Sequence, residues 1–189
     1  MILNEQKITM LESYRLNLDE RITASQIAKK KKINQKSVYL FMEELEKIGI
    51  ITSEMQGKNK LYFLNKSNKE LVKQFLCSLE HLRTMYFYHE LPEIKLIIQK
   101  ILPHIQGIVA IFGSYAKGTK KETSDLDIFI AGTYDEKEIE LIGSTFGVDI
   151  NIKHQKIFKE DVLTNEVKKS HILIKNTEQF IIEANQWIN

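Results

Sequence analysis

Residues 108–130, IVAIFGSYAKGTKKETSDLDIFI, constrain the fold of this chain more than any other stretch. An apolar run is followed by a polar loop opening on Gly113-Ser114, then by a second apolar run headed by Asp125 and Asp127. Short apolar runs bounded by turn residues read as buried strands. Neighbouring side chains of a strand point to opposite faces, so Asp125 and Asp127 share a face, with backbones roughly 7 Å apart. Leu126, Ile128 and Ile130 take the other face and enter a core. Two carboxylates on one strand edge beside a Gly-Ser loop suit a divalent metal that carries phosphate. Gly113 lets backbone N–H groups approach phosphate oxygens. Ser114 and Ser124 add hydroxyls, Lys117 a positive charge and Gly118 a second flexible point, while Thr123 is placed to brace the loop.

The elements around this stretch follow from periodicity. Residues 92–102 form a helix that starts with Pro92 at an early helical position and stops at Pro103. Residues 107–112 are the first buried strand. Residues 135–145 read as a helix with a capping pattern, Asp135-x-x-Glu138, closed by Gly147. From 148 to 153 the alternation has period two: Val148, Ile150 and Ile152 face the core, and Asp149, Asn151 and Lys153 face the other way. Residues 155–168 read as a charged helix, 171–175 as a last strand and 176–188 as a closing helix with Phe180, Ile181, Ala184 and Trp187 inward. His154 and His171 lie outside any acid–base motif and are read as structural or surface residues.

The first third has a different pattern. Helices are expected over 4–16, over 23–31 with Thr23 or Ser25 as cap, and from Asn34 to a terminating Gly49, with Val38, Phe41, Met42, Leu45 and Ile48 on one face. Two short β runs, 50–55 and 60–64, flank a Gly-containing turn and read as a hairpin. Three helices and a hairpin resemble the winged helix-turn-helix of transcriptional regulators. That resemblance implies a recognition helix presenting Gln35, Lys36, Ser37 and Tyr39, and a wing marked by Lys58 and Lys60. The lysine run 29–32 could meet phosphates. Glu43, Glu44 and Glu46 oppose DNA binding, and the alternative is a dimerisation or partner-docking module. A connecting helix over 68–88, with a stripe of Leu71, Phe75, Leu79, Leu82 and Tyr86, ends at His89-Glu90-Leu91-Pro92. Arg83 and His89 match the loose Arg-x5-His spacing of HEPN ribonucleases, but residues six apart lie on different faces of a helix, so a structural reading is preferred. The expected organisation is α+β: a winged helix-turn-helix over 1–67, a connecting helix over 68–91 and a catalytic domain with a mixed sheet over 92–189.

Charge distribution sharpens this division. Residues 1–89 hold 15 Lys/Arg against 10 Asp/Glu, and residues 90–189 hold 12 against 15. The first half can face a polyanion, and the second concentrates carboxylates. The single cysteine, Cys77, excludes an internal disulfide and a Cys-based zinc site and fits a reducing compartment. With no apolar run of the roughly 20 residues a membrane span needs and no signal-peptide core at the N-terminus, a cytoplasmic protein without membrane contact is expected.

Gly113-Ser114, ten residues, then Asp125-x-Asp127 resembles the signature of minimal nucleotidyltransferases in the DNA polymerase β-like superfamily. The resemblance covers about residues 92–189. It implies transfer of a nucleoside monophosphate, AMP from ATP, to a hydroxyl acceptor. It implies two Mg²⁺ ions, with Mn²⁺ as a substitute, held by Asp125, Asp127 and a third carboxylate, for which Asp149 is the candidate. Gly113, Ser114, Lys117, Gly118 and Ser124 would hold the triphosphate. The superfamily's larger members carry extra helical domains that position the acceptor. Here only the minimal unit is found, which implies an acceptor on a partner, as in antitoxins that modify a tyrosine of a HEPN-type toxin. A DNA-binding regulator whose nucleotidyltransferase fold senses nucleotide, and an aminoglycoside-type enzyme, are the alternatives; a homodimer is compatible with each.

Overall fold

The computed structural model describes residues 4–185 and residue 188. The described residues form two compact units, one of residues 4–79 with 185 and 188 and the other of residues 80–184. The division falls inside a helix rather than at the Leu91-Pro92 break expected from sequence.

In the first unit, helix α1 (Glu5–Leu16) is capped by Asn4, whose side chain accepts from the Lys7 N–H at 2.9 Å. A two-residue strand, β1 (Ile22–Thr23), leads into α2 (Ala24–Lys31), opened by a reciprocal Thr23/Gln26 capping box. Helix α3 (Gln35–Ile48) starts at Asn34, whose carboxamide oxygen accepts from the N–H groups of Lys36 and Ser37. It stops at Gly49, which takes the left-handed conformation with φ of 88°. Strands β2 (Ile51–Gln56) and β3 (Asn59–Leu64) pair as an antiparallel hairpin around Gly57-Lys58. The sheet order is β1-β3-β2. Strand β1 escapes sequence reading because two residues carry no periodicity; it forms because Ile22 is buried opposite Tyr62. Val38, Phe41, Met42 and Leu45 are buried as expected, but Ile48, in the last turn, is exposed.

Helix α4 (Lys69–Glu90) contains the division between the units. Its buried apolar positions are Val72, Phe75, Leu76, Leu79 and Phe87. The expected stripe therefore shifts: Leu71 and Leu82 are half-buried and Tyr86 is exposed.

The second unit is built on a four-stranded sheet. Helix α5 (Pro92–Ile101) and a 3-10 turn (Leu102–His104) lead into β4 (Ile105–Ile111). A one-turn helix, α6 (Gly113–Lys117), and a loop precede β5 (Leu126–Tyr134). Helix α7 (Glu136–Phe146) crosses to β6 (Ile150–Gln155); α8 (Val162–Lys169), β7 (Ile172–Lys175) and α9 (Thr177–Glu183) follow. The sheet order is β6-β5-β4-β7, with β4 antiparallel to both β5 and β7 and β6 parallel to β5. A parallel pair needs a crossover, and α7 supplies it.

Alternation along the strands divides the core in two. Val109, Ile111, Leu126, Ile128 and Ile130 meet Ile94, Ile97, Ile98 and Ile101 of α5 and Ile139 of α7. On the other face, Ile108, Ala110, Phe112, Phe129 and Ala131 meet Val167, Phe180 and Ala184. The helix expected over 155–168 is shorter: β6 runs through Gln155, and α8 begins only after Asp161, which forms a capping box with Thr164. The closing helix ends at Glu183, and Trp187 lies outside the described residues. Among the described residues no helix is long and apolar enough to cross a membrane.

Candidate active site

Asp127 is where three elements of the second unit meet. It is the second residue of β5, and alternation gives it the face of Phe129 and Ala131, opposite Leu126, Ile128 and Ile130. Its backbone carbonyl accepts from the N–H of Phe112, at the end of β4, at 3.0 Å. Its side chain lies against Gly113, at the start of α6. A Cβ built on Gly113 would stand 2.1 Å from the Asp127 Oδ2, and Gly113 has φ of +66°. Only glycine satisfies both the backbone conformation and the space. On the other side, the Asn151 Nδ2 of β6 donates to the Asp127 Oδ1 at 2.8 Å.

The parallel register explains this partner. Leu126 pairs with Ile150 and Asp127 with Asn151. Asp149 precedes β6 as Asp125 precedes β5, and the Leu126 N–H donates to the Asp149 carbonyl at 2.8 Å. Asp125 and Asp149 are exposed, whereas Asp127 and Asn151 are half-buried. Sequence periodicity gave Asn151 the right face, but the pairing of two strands separated by a helix is not readable from periodicity, so its contact with Asp127 was not foreseen.

The phosphate-side candidates spread along the turn and the loop. Ser114 is half-buried in the first turn of α6, and Lys117 and Gly118 are exposed at its end. Ser124 is committed to the loop itself: its Oγ accepts from the Lys121 N–H at 2.8 Å, and its own N–H donates to the Lys121 carbonyl. Lys120, not singled out from sequence, lies 3.4 Å from Glu93 and 5.3 Å from the centre of the Tyr115 ring.

Asp125 and Asp127 fit a hard divalent cation by donor chemistry, since carboxylate oxygens are what Mg²⁺ selects. The contact with Asn151 leaves acceptor capacity on both Asp127 oxygens. The expected convergence of three carboxylates is not seen: among the described residues no group of three or more His, Cys, Asp or Glu side chains is gathered so as to hold a metal ion. The register sets a neutral amide opposite Asp127 and leaves Asp149 ahead of β6 as Asp125 is ahead of β5. The two histidines are engaged elsewhere. His154 sits 2.8 Å from the Gly132 carbonyl, and buried His171 makes a 3.0 Å contact with the Val167 carbonyl and lies 3.4 Å from Glu80.

In the first unit, Gln35, Lys36, Ser37 and Tyr39 are exposed at the start of α3, and Lys58 is exposed at the hairpin turn. Lys60 is placed differently. Its ammonium is held by Glu43 and Glu46 at 2.7 Å each, and Tyr62 also donates to Glu43 at 2.8 Å. These contacts hold the Glu43 carboxyl below the usual carboxylate range, chiefly through Lys60, and raise the Lys60 ammonium. Glu44 pairs with Lys7 at 3.2 Å. The acidic run of α3 is thus internally matched. In the lysine run, Lys31 pairs with Glu12, while Lys29 and Lys32 are exposed.

Comparison with known proteins agrees with the second unit's geometry. No curated protein matches the chain significantly. A chain of one solved structure, a crystal structure of the toxin-antitoxin with AMP-PNP, is 19% identical over 51% of this chain and 85% of that one, with a TM-score of 0.37, a likeness too slight to bear on function. Residues 91–184, just under half of the chain, match the family model described as a nucleotidyltransferase domain. That match falls on the part of the chain that carries the mixed sheet and the Gly113/Asp127 site, and is a similarity of this part to nucleotidyltransferase domains.

Proposed function

We propose that the chain is a Mg²⁺-dependent nucleotidyltransferase that moves AMP from ATP to a hydroxyl on a protein partner. The observation that carries this is the seating of Asp127 against Gly113, which joins the Asp-x-Asp strand to the Gly-Ser turn in one site. Asp125 and Asp127 would hold the cation. Bound there, it would screen the charge of the triphosphate and make an acceptor hydroxyl easier to deprotonate. Ser114 hydrogen-bonds phosphate oxygens, and Lys117 offsets their charge. Asp149, level with Asp125 by register, takes the acceptor side and accepts the hydroxyl proton. The acceptor oxygen then bonds to the α-phosphorus as the bond to the bridging oxygen breaks, and pyrophosphate departs with the electron pair. The protein acceptor follows from the resemblance to minimal enzymes of this kind, among which are antitoxins acting on a tyrosine of a HEPN-type toxin.

The test is incubation with Mg²⁺ and each α-labelled nucleoside triphosphate, alone and with candidate acceptors, above all the product of the adjacent gene. Label is expected on the acceptor with ATP and lost in Asp125→Ala and Asp127→Ala. Absence of label with every triphosphate, or label unaffected by both substitutions, would sink the reading.

A second activity accompanies the first. The exposed Gln35, Lys36, Ser37 and Tyr39 on α3 and Lys58 on the hairpin favour a DNA-reading winged helix in the first unit. Binding of duplex DNA should weaken with salt and with Lys36→Ala and Lys58→Ala. No mobility shift at low salt would exclude it. Lys60 is left out of this set because two glutamates hold it.

A further inference from the structure

We propose that Asn151 is a positioning residue for Asp127, fixing the carboxylate in the orientation in which it receives a divalent cation; this rests on the nucleotidyltransferase reading. Asn151 stands opposite Asp127 in the β5–β6 register, and its Nδ2 lies 2.8 Å from Oδ1. An ionised carboxylate only accepts hydrogen bonds, so the amide must turn its NH₂ toward it, and a bond to a charged acceptor is among the stronger kinds. The second oxygen, Oδ2, is bounded by the backbone of Gly113, where a side chain would collide with it. The main chain of Asp127 is tied to Phe112. The carboxylate is therefore held from β6, limited by the turn into α6 and anchored to β4.

The chemistry of the holder matters. An amide orients the carboxylate without adding negative charge, and each carboxylate oxygen keeps acceptor capacity for a cation. A hydrophobic residue at 151 would leave Asp127 free to rotate. A carboxylate there would offer no proton at neutral pH and would repel Asp127 until a cation entered. Such an outer partner that orients a ligand typically changes metal affinity about 10- to 100-fold when removed.

The test uses the full chain and Mn²⁺ as probe, with free Mn²⁺ followed by its electron paramagnetic resonance signal. Wild type should bind Mn²⁺, Asp127→Ala should lose it, and Asn151→Ala should bind about tenfold more weakly with an unchanged far-ultraviolet circular dichroism spectrum. Asn151→Ala binding Mn²⁺ like wild type while Asp127→Ala fails overturns the role of Asn151 and leaves the enzymatic reading standing. Failure of wild type to bind Mn²⁺ at millimolar concentration overturns both. Asn151→Asp decides the matter if the alanine variant does not fold. Without metal it should melt below wild type, and Mn²⁺ should raise its melting temperature more than that of wild type. A melting temperature and a Mn²⁺ response equal to those of wild type would again exclude positioning by Asn151.

Discussion

Gly113 shows how one missing side chain sets the site. The space its Cβ would fill is occupied by an Asp127 oxygen, and its φ is one that other residues adopt at a cost. Gly113→Ala should therefore lower stability by more than about 1 kcal/mol, measured by denaturant unfolding. It should also lower the proposed AMP transfer beyond what the loss of folded protein explains. Gly57→Ala, at the hairpin turn of the first unit, is the control: its φ is also left-handed, at +62°, but its Cβ would meet nothing within 4 Å, so any strain should appear in stability without the loss of transfer. Gly113, Asp125 and Asp127 stand out as candidates in the sequence because a Gly-Ser turn and a period of two are local patterns and their spacing resembles a family signature. Asn151 could be given a face and no partner, since its partner is 24 residues away on a strand whose register only the folded sheet defines.

At the scale of elements, caps and ion pairs decide where helices stop and which charges remain available. Asn34 receives two N–H groups at the start of α3, and Asn34→Ala should cost about 1 kcal/mol in unfolding free energy. The Glu43–Lys60 contact gives a pH signature. A carboxyl held low in the folded state contributes stability above its unfolded pKa, and that contribution is lost as pH falls through the folded value. Glu43→Gln should thus be less stable than wild type at neutral pH, by no more than about 1 kcal/mol because about a third of each side chain stays open to solvent. The difference should close on acidification below the ordinary carboxylate range, as followed by chemical unfolding at a series of pH values. Most helices were legible because their apolar spacing and caps are local, as at Asn34, Gly49, Asp135 and Gly147. Residues 156–161 were not: the sequence is charged enough to read as helix, and only the reciprocal bonds of Asp161 and Thr164 show where α8 begins.

Across the whole molecule, the two halves of opposite charge coincide roughly with two compact units, the basic one carrying the exposed α3 surface and the acidic one the carboxylates. The sheet of the second unit depends on residues that never reach the site. Ile128 has no exposed surface and lies directly behind the carboxylate pair. Ile128→Ala should cost about 2–5 kcal/mol of unfolding free energy, while transfer by the protein that remains folded at low temperature should stay near wild type. The strand order carries one more consequence, for the order of assembly on the ribosome. Strands β4, β5 and β6 emerge first, whereas β7, which pairs with β4, lies roughly sixty residues beyond it in the chain, and contacts of such separation form late because of the chain entropy they remove. Nascent chains arrested before β7 should therefore already hold the Asp127–Asn151 contact while one edge of β4 is still bare. That bare edge, rather than the site, is where a chaperone or a stray strand would engage the growing chain.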